Sequence, residues 1–226
     1  MTKKEIAILS VLTGVLGIGF LVLVILICAN NLNPFLVDEN VASWAYSIRG
    51  EKGGTTFWFF RIITEFGYTY FAIFAVILVG FIFKFKSNFW FFGGTLLASF
   101  LLQKLLKFLI QRPRPDESLW WMAEHSSSFP SGHAITVACI FVFICFFVCA
   151  SPKVKVWVKW LICSLSTIIV FLVLMSRIIL GVHYFTDVLG GLMFGSFVAV
   201  CGIFTYKMFE SIKNSKRSKN IPQADW

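Results

Sequence analysis

From Ile6 to Ala29 the chain runs for 24 residues without a charged side chain. As an α-helix that stretch is about 36 Å long, enough to cross a hydrocarbon layer of about 30 Å. Five further apolar stretches follow, at about Phe66–Phe83, Phe89–Ile110, His133–Ala150, Val156–Met175 and Tyr184–Phe209. Extended strands with open edges would leave backbone N–H and C=O groups unpaired in lipid, so helices are required. Composition agrees: 58% of the residues are hydrophobic and 14% charged, against roughly 25% charged in soluble domains. The expected fold is therefore all-α: a polytopic membrane protein with six transmembrane helices in one bundle.

The same pattern sets organisation and orientation. Lys3 and Lys4 precede the first run as they would in a signal peptide, but the run is longer than an h-region of about 7–15 residues and is expected to stay as a helix. With the amino terminus inside, 12 of the 20 Lys and Arg fall on the inner side, and the inner loops at 84–88 and 151–155 hold no acidic residue. Cationic inner loops place both termini in the cytoplasm. The net charge of +9 is then a membrane bias; membrane lipids are the expected neighbours, and nucleic acid is not a partner. Residues 1–210 form the expected transmembrane domain and 211–226 a basic, frayed cytoplasmic tail. Thr55 onward is an interfacial stretch entering the second helix, and Trp120 and Trp121 suit the headgroup level. Gly191 and Gly195 form a GxxxG that predicts close helix packing. Cys145 and Cys149 lie one helical turn apart, as small apolar residues of a helix rather than metal ligands.

Polar residues that a plain bundle does not need fall in three places: Lys107 with Arg112-Pro113-Arg114-Pro115, Pro130-Ser131-Gly132-His133, and Ser176-Arg177 with His183 and Asp187. The six-helix plan brings all three to the outer ends of helices three to six. Ionisable residues at membrane depth are costly and mark function. Lys107, Arg114 and Arg177 supply three fixed positive charges, and the arginine fork matches phosphate oxygens in pairs. Ser131 and Gly132 open the fourth helix, whose free N–H groups favour an anion. These five residues are the expected phosphate cradle. His183 and Asp187, four apart, share a helix face; the carboxylate can fix the imidazole tautomer and leave the other nitrogen as nucleophile. His133 can protonate the leaving alkoxide and then activate water. The cations are side chains, so neither metal nor cofactor is called for.

These residues resemble the signature of the type 2 phosphatidic acid phosphatase family: Lys-x6-Arg-Pro at Lys107 to Pro115, Pro-Ser-Gly-His at Pro130 to His133, and Ser-Arg-x5-His-x3-Asp at Ser176 to Asp187. All eleven specified positions are met in order. The resemblance implies a membrane lipid phosphatase with His183 as nucleophile, His133 as acid, Asp187 supporting the nucleophile, and Lys107, Arg114, Ser131, Gly132 and Arg177 holding phosphate. Length and compact loops are similar to bacterial members, which act on phosphatidylglycerophosphate, undecaprenyl pyrophosphate or phosphatidic acid. A multi-pass protein of the bacterial plasma membrane, with its site facing outside, is the implied setting. A lipid-linked phosphotransferase would use the same histidine, and a transporter would also explain buried charges. The vanadium haloperoxidases share the signature but are soluble and larger, which the spanning helices oppose. His125 matches no motif and suits a solvated loop. Arg112 fits a phosphate or a headgroup contact. Lys104, one turn before Lys107, either lines the site or snorkels. Arg61 and Glu65 make a helical ion pair.

Overall fold

The structure, a computed structural model, describes residues 1–82 and 89–219. Among them the fold is entirely helical: α1 (Lys3–Ala29), α2 (Leu36–Ile48), α3 (Thr55–Ile63), α4 (Thr69–Ile82), α5 (Phe89–Ile110), α6 (Gly132–Ala150), α7 (Val156–Ile179) and α8 (Phe185–Lys219), with 3-10 turns at Thr64–Gly67 and Glu117–Leu119. Helices α1, α5, α6, α7 and α8 are long and apolar enough to cross a membrane. Helix α4 is apolar over its 14 described residues; the expected inner loop at 84–88 lies outside the described residues.

Helix α6 sits at the centre and packs on α4, α5, α7 and α8, while α1 lies along α8. The α6–α8 seam is close because Gly191 and Gly195 lack side chains. A Cβ at Gly191 would stand 2.6 Å from the Ser131 carbonyl oxygen, and one at Gly195 2.4 Å from that of Ile135. The GxxxG expectation therefore holds, with the seam ending at the Pro-Ser-Gly-His segment. At the far end Phe92 meets Phe143, Phe147 and Tyr206 at ring-centroid distances of 4.9, 4.6 and 5.4 Å. Cys145 of α6 lies 3.3 Å from Cys163 of α7, sulfur to sulfur.

Four features go beyond what the sequence predicts. Helix α7 runs one turn beyond Met175, so Ser176 and Arg177 lie within it; Arg177 is fully buried, with Glu124 and Thr64 among its partners. Helix α8 runs on to Lys219 where a frayed tail was expected from Ser211. Ser211–Lys219 contains no Gly or Pro and is rich in Lys, which favours the helix. The segment from 30 to 65 folds into α2 and α3, and Ala45 of α2 is buried among Ala134, Ile178, Ile179 and Val188. Trp121 is buried against Leu180 and Val182, in the loop between α5 and α6.

Candidate active site

The ends of α5 and α7 and the starts of α6 and α8 meet at one end of the bundle, and there the three motifs converge. Lys107, Arg114, Gly132, His133 and His183 line one cavity of about 220 Å³, together with Gly67, Tyr68, Gln103, Lys104, Glu124 and Ser126. Ser131, Arg177 and Asp187 are fully buried around it and are absent from its lining. His125 is exposed and takes no part.

His183 sits in the short link between α7 and α8. Its Nε2 lies 3.3 Å from Arg114 Nη1. A guanidinium only donates, so Nε2 is the acceptor and the ring proton is on Nδ1. That nitrogen faces Asp187 Oδ2 at 3.5 Å, the tautomer expected from the four-residue spacing. Burial, and then the charges of Arg114, Arg177 and Lys107, push the His183 pKa well below that of a free histidine, because each disfavours the cation. The imidazole is therefore neutral near pH 7, with its lone pair toward the cavity cations.

Asp187 is held from behind. Its Oδ2 accepts from the Tyr184 N–H at 2.9 Å and its Oδ1 from Arg112 Nη1 at 2.6 Å. Arg112 is fully buried, and all five of its donors are used. Nη1 also donates to Thr186 Oγ1 (2.7 Å), Nη2 to Asp38 Oδ2 (3.0 Å) and the Asn33 carbonyl (3.2 Å), and Nε to the Leu32 carbonyl (3.3 Å). Asp38, on α2, in turn accepts from the Thr186 N–H at 2.8 Å and hydroxyl at 2.9 Å. Arg112 thus faces Asp187 instead of a phosphate or headgroup, and Asp38 is a site residue with no signal in the sequence.

His133 occupies the first turn of α6, where the first helical bond is Ile135 N to Ser131 O at 3.1 Å. The N–H groups of Gly132, His133 and Ala134 therefore have no helical acceptor. The ring packs edge-on against Tyr68, centroids 4.5 Å apart, and its Nε2 lies 3.5 Å from Arg177 Nη1. A Cβ at Gly67 would stand 2.5 Å from His133 Cδ2, so only glycine lets the turn before α4 close over this ring.

The cations are fastened by the loop between α5 and α6. Lys107 Nζ donates to Ser126 Oγ at 3.1 Å and to the Ser127 carbonyl. Arg114 donates to the carbonyls of Ser126 and Val182, each at 2.6 Å. Arg177 donates to Thr64 Oγ1 at 2.8 Å. Glu124 pairs with both arginines, at 3.3 Å from Arg114 Nη2 and in direct contact with Arg177 Nη2. Its place in a loop without periodicity left it invisible in the sequence. Ser131 Oγ, Arg177 Nε and His183 Nδ1 are buried without a hydrogen-bond partner among the described residues. Three cations against one carboxylate suit an incoming anion.

Fold and site together define an all-helical integral membrane protein with a cationic, two-histidine site at one end of its bundle. The chain belongs to the PAP2 superfamily, which it matches over residues 88–212, a span that contains all three motifs. It is 36% identical over 137 residues to phosphatidylglycerophosphatase B of Bacillus subtilis (strain 168), a stretch that covers 59% of this chain and 66% of that protein. It is 32% identical over 121 residues to a lipid A 1-phosphatase of Rhizobium etli, covering 50% of this chain and 47% of that one. The aligned stretches thus span just under two thirds and about half of these relatives. In three dimensions the chain is similar to the crystal structure of a transmembrane PAP2-type phosphatidylglycerolphosphate phosphatase from Bacillus subtilis, with a TM-score of 0.72, 28% identity, and coverage of 88% of this chain and 96% of that chain.

Proposed function

We propose that the protein is a lipid phosphate phosphohydrolase working through a phosphohistidine intermediate, without a metal. The observation that carries this is one cavity lined by both imidazoles and by Lys107 and Arg114, with Arg177 at 3.5 Å from His133. A second observation supports a lipid substrate. Thr69, Phe100, Gln103 and Thr136 line both this cavity and an apolar groove of about 330 Å³ that runs along α4 and α5 past Ile73, Ile77, Leu96 and Leu97. A polar headgroup at the histidines and an apolar chain in the groove fit that pair of spaces.

The chemistry follows from the atoms. His183 Nε2 attacks phosphorus and the bond from phosphorus to the lipid oxygen breaks. The leaving alkoxide takes a proton from His133. Asp187 stabilises the charge that develops on the His183 ring, as a carboxylate does for an attacking imidazole. His133, now neutral, takes a proton from water, whose oxygen attacks phosphorus, and the bond to Nε2 breaks. Lys107, Arg114, Arg177 and the first N–H groups of α6 hold the equatorial oxygens.

The substrates that fit are phosphatidylglycerophosphate, undecaprenyl pyrophosphate and phosphatidic acid. The names of the relatives favour the first. Six spans, both termini in the cytoplasm and a site on the outer face of a bacterial plasma membrane are the matching topology, supported by the cationic inner loops. Phosphate release from these three lipids in the presence of a chelator tests the reading, with hydrolysis in ¹⁸O-labelled water placing the label in inorganic phosphate. A strict magnesium requirement overturns the metal-free chemistry, and phosphate transfer without label overturns hydrolysis.

Glu124 bears on the resting site, since its carboxylate occupies two guanidinium groups that a phosphate would use. Glu124→Gln is expected to tighten inhibition by vanadate about three- to tenfold, as removal of a partly exposed competing charge does. Titration of activity with vanadate checks this; an unchanged inhibition constant means that the carboxylate does not compete for the cradle.

A further inference from the structure

Lys104 takes no part in the chemistry above, yet it lines the catalytic cavity. Its Nζ lies 5.4 Å from the Phe100 ring centroid, and among the described residues no hydrogen bond or ion pair engages it. Lys107, by contrast, is buried and tied to Ser126 and Ser127. Helix α5 ends at Ile110 beside the histidines, so Lys104 stands about 4.5 Å further along the axis from that end than Lys107 does. Its neighbours there are Gln103 and Phe100, two of the residues shared by the cavity and the apolar groove. Lys104 therefore stands in the cavity next to the Phe100 and Gln103 edge through which a lipid chain would leave toward the groove.

We propose, resting on the phosphatase reading, that Lys104 is a specificity-determining residue. It takes a second phosphate lying between the phosphate that is cleaved and the apolar chain. An uncommitted ammonium at that position has nothing to pair with in a lipid that carries one phosphate, where the next groups are neutral esters. It has an anionic partner when a second phosphate follows, whether spaced by glycerol, as in phosphatidylglycerophosphate, or bridged directly by oxygen, as in a prenyl pyrophosphate. The contact is to a charged group at a partly open position, for which about a tenfold effect is the expected scale.

The experiment compares kcat and KM of the full-length protein, its Lys104→Met variant and its Lys104→Arg variant on phosphatidylglycerophosphate, a prenyl pyrophosphate and phosphatidic acid in the same mixed micelles. Lys104→Met is expected to lower kcat/KM on a two-phosphate lipid about tenfold relative to phosphatidic acid, mainly through KM. Lys104→Arg is expected to restore most of that ratio. A drop confined to phosphatidylglycerophosphate assigns the glycerol-spaced phosphate to Lys104, and one confined to the pyrophosphate assigns the bridged phosphate. Ratios that stay level across the three lipids overturn the proposal, whether or not overall activity falls. A wild-type protein that releases phosphate from none of them fails the phosphatase reading instead, a distinct outcome.

Discussion

His183→Asn is expected to lower phosphate release by at least about ten-thousand-fold, the scale on which loss of a nucleophile acts, with the protein still folded. Asparagine is smaller and places no ring nitrogen at the position that faces Arg114 Nη1 at 3.3 Å. The partners of Asp187 other than His183, the Tyr184 N–H and Arg112, are kept. Brief exposure to radiolabelled lipid followed by denaturation should leave an acid-labile, alkali-stable label on the wild-type protein and none on the variant. Hydrolysis persisting in the variant would remove His183 from the nucleophile's role. The acid side of the pH profile carries the same assignment. Nε2 attacks only when unprotonated, and burial with three nearby cations holds its pKa well below the free value of 6.5. Activity attributable to this group is therefore retained as pH falls through 6.5 and is lost only below it. In kcat/KM, which reports the free enzyme, that limb stays in place when the lipid is changed, whereas a limb from the lipid's own phosphate moves with the substrate. A fixed limb at or above 6.5 would mean that the nucleophile lies in a far more solvated place.

The sequence carried the residues that meet at the candidate site more fully than those that support them. Eleven motif positions could be placed because each chemical role demands a residue type, and a long apolar helix converts spacing into a level along the bundle. The ends of α5 were legible at Phe89 and Ile110, since an apolar run bounded by polar residues fixes a helix in lipid. The Gly191–Gly195 seam was legible for a similar reason: small residues four apart have a steric meaning in any helix. Asp38 was not legible. It meets Arg112 across 74 positions, and no periodicity links a carboxylate in a half-apolar outer segment to a guanidinium after the third run. Helix α2 itself was missed because 13 residues are too few to span a membrane, although they suffice to seat Ala45 on α7 and to aim Asp38 inward. The burial of Trp121 was not legible, because an amphipathic ring suits both an interface and a buried corner, and the residues that cover it, Leu180 and Val182, are brought in by the turn after α7.

Arg112 separates a residue that holds substrate from one that holds the machinery. Its guanidinium joins α2, α8 and the link after α1, and two carboxylates depend on it, both with fully buried side chains. Arg112→Ala strands Asp38 and Asp187 together without a counter-charge. Breaking a buried pair in this way costs about 3–5 kcal/mol, which for a chain of this size corresponds to a fall in Tm on the order of 10 °C. Asp187 would then turn toward whatever donors remain and release the His183 ring, so kcat is expected to fall at least about a hundredfold while KM moves little, because Arg112 does not line the cavity. Arg112→Lys keeps the charge but offers a point donor where a planar fork serves five acceptors, and should recover only part of either loss. Asp38→Asn in the Arg112→Ala background removes one stranded charge and is expected to return some of the lost Tm, with a coupling energy that non-interacting sites would not show. Thermal unfolding in detergent and steady-state kinetics on the same preparations check these three variants and Asp38→Asn alone, which completes the cycle. An Arg112→Ala protein that unfolds at the wild-type temperature but binds substrate several-fold more weakly would instead make Arg112 a phosphate ligand, and the wiring between Asp38 and Asp187 would have no part in positioning His183.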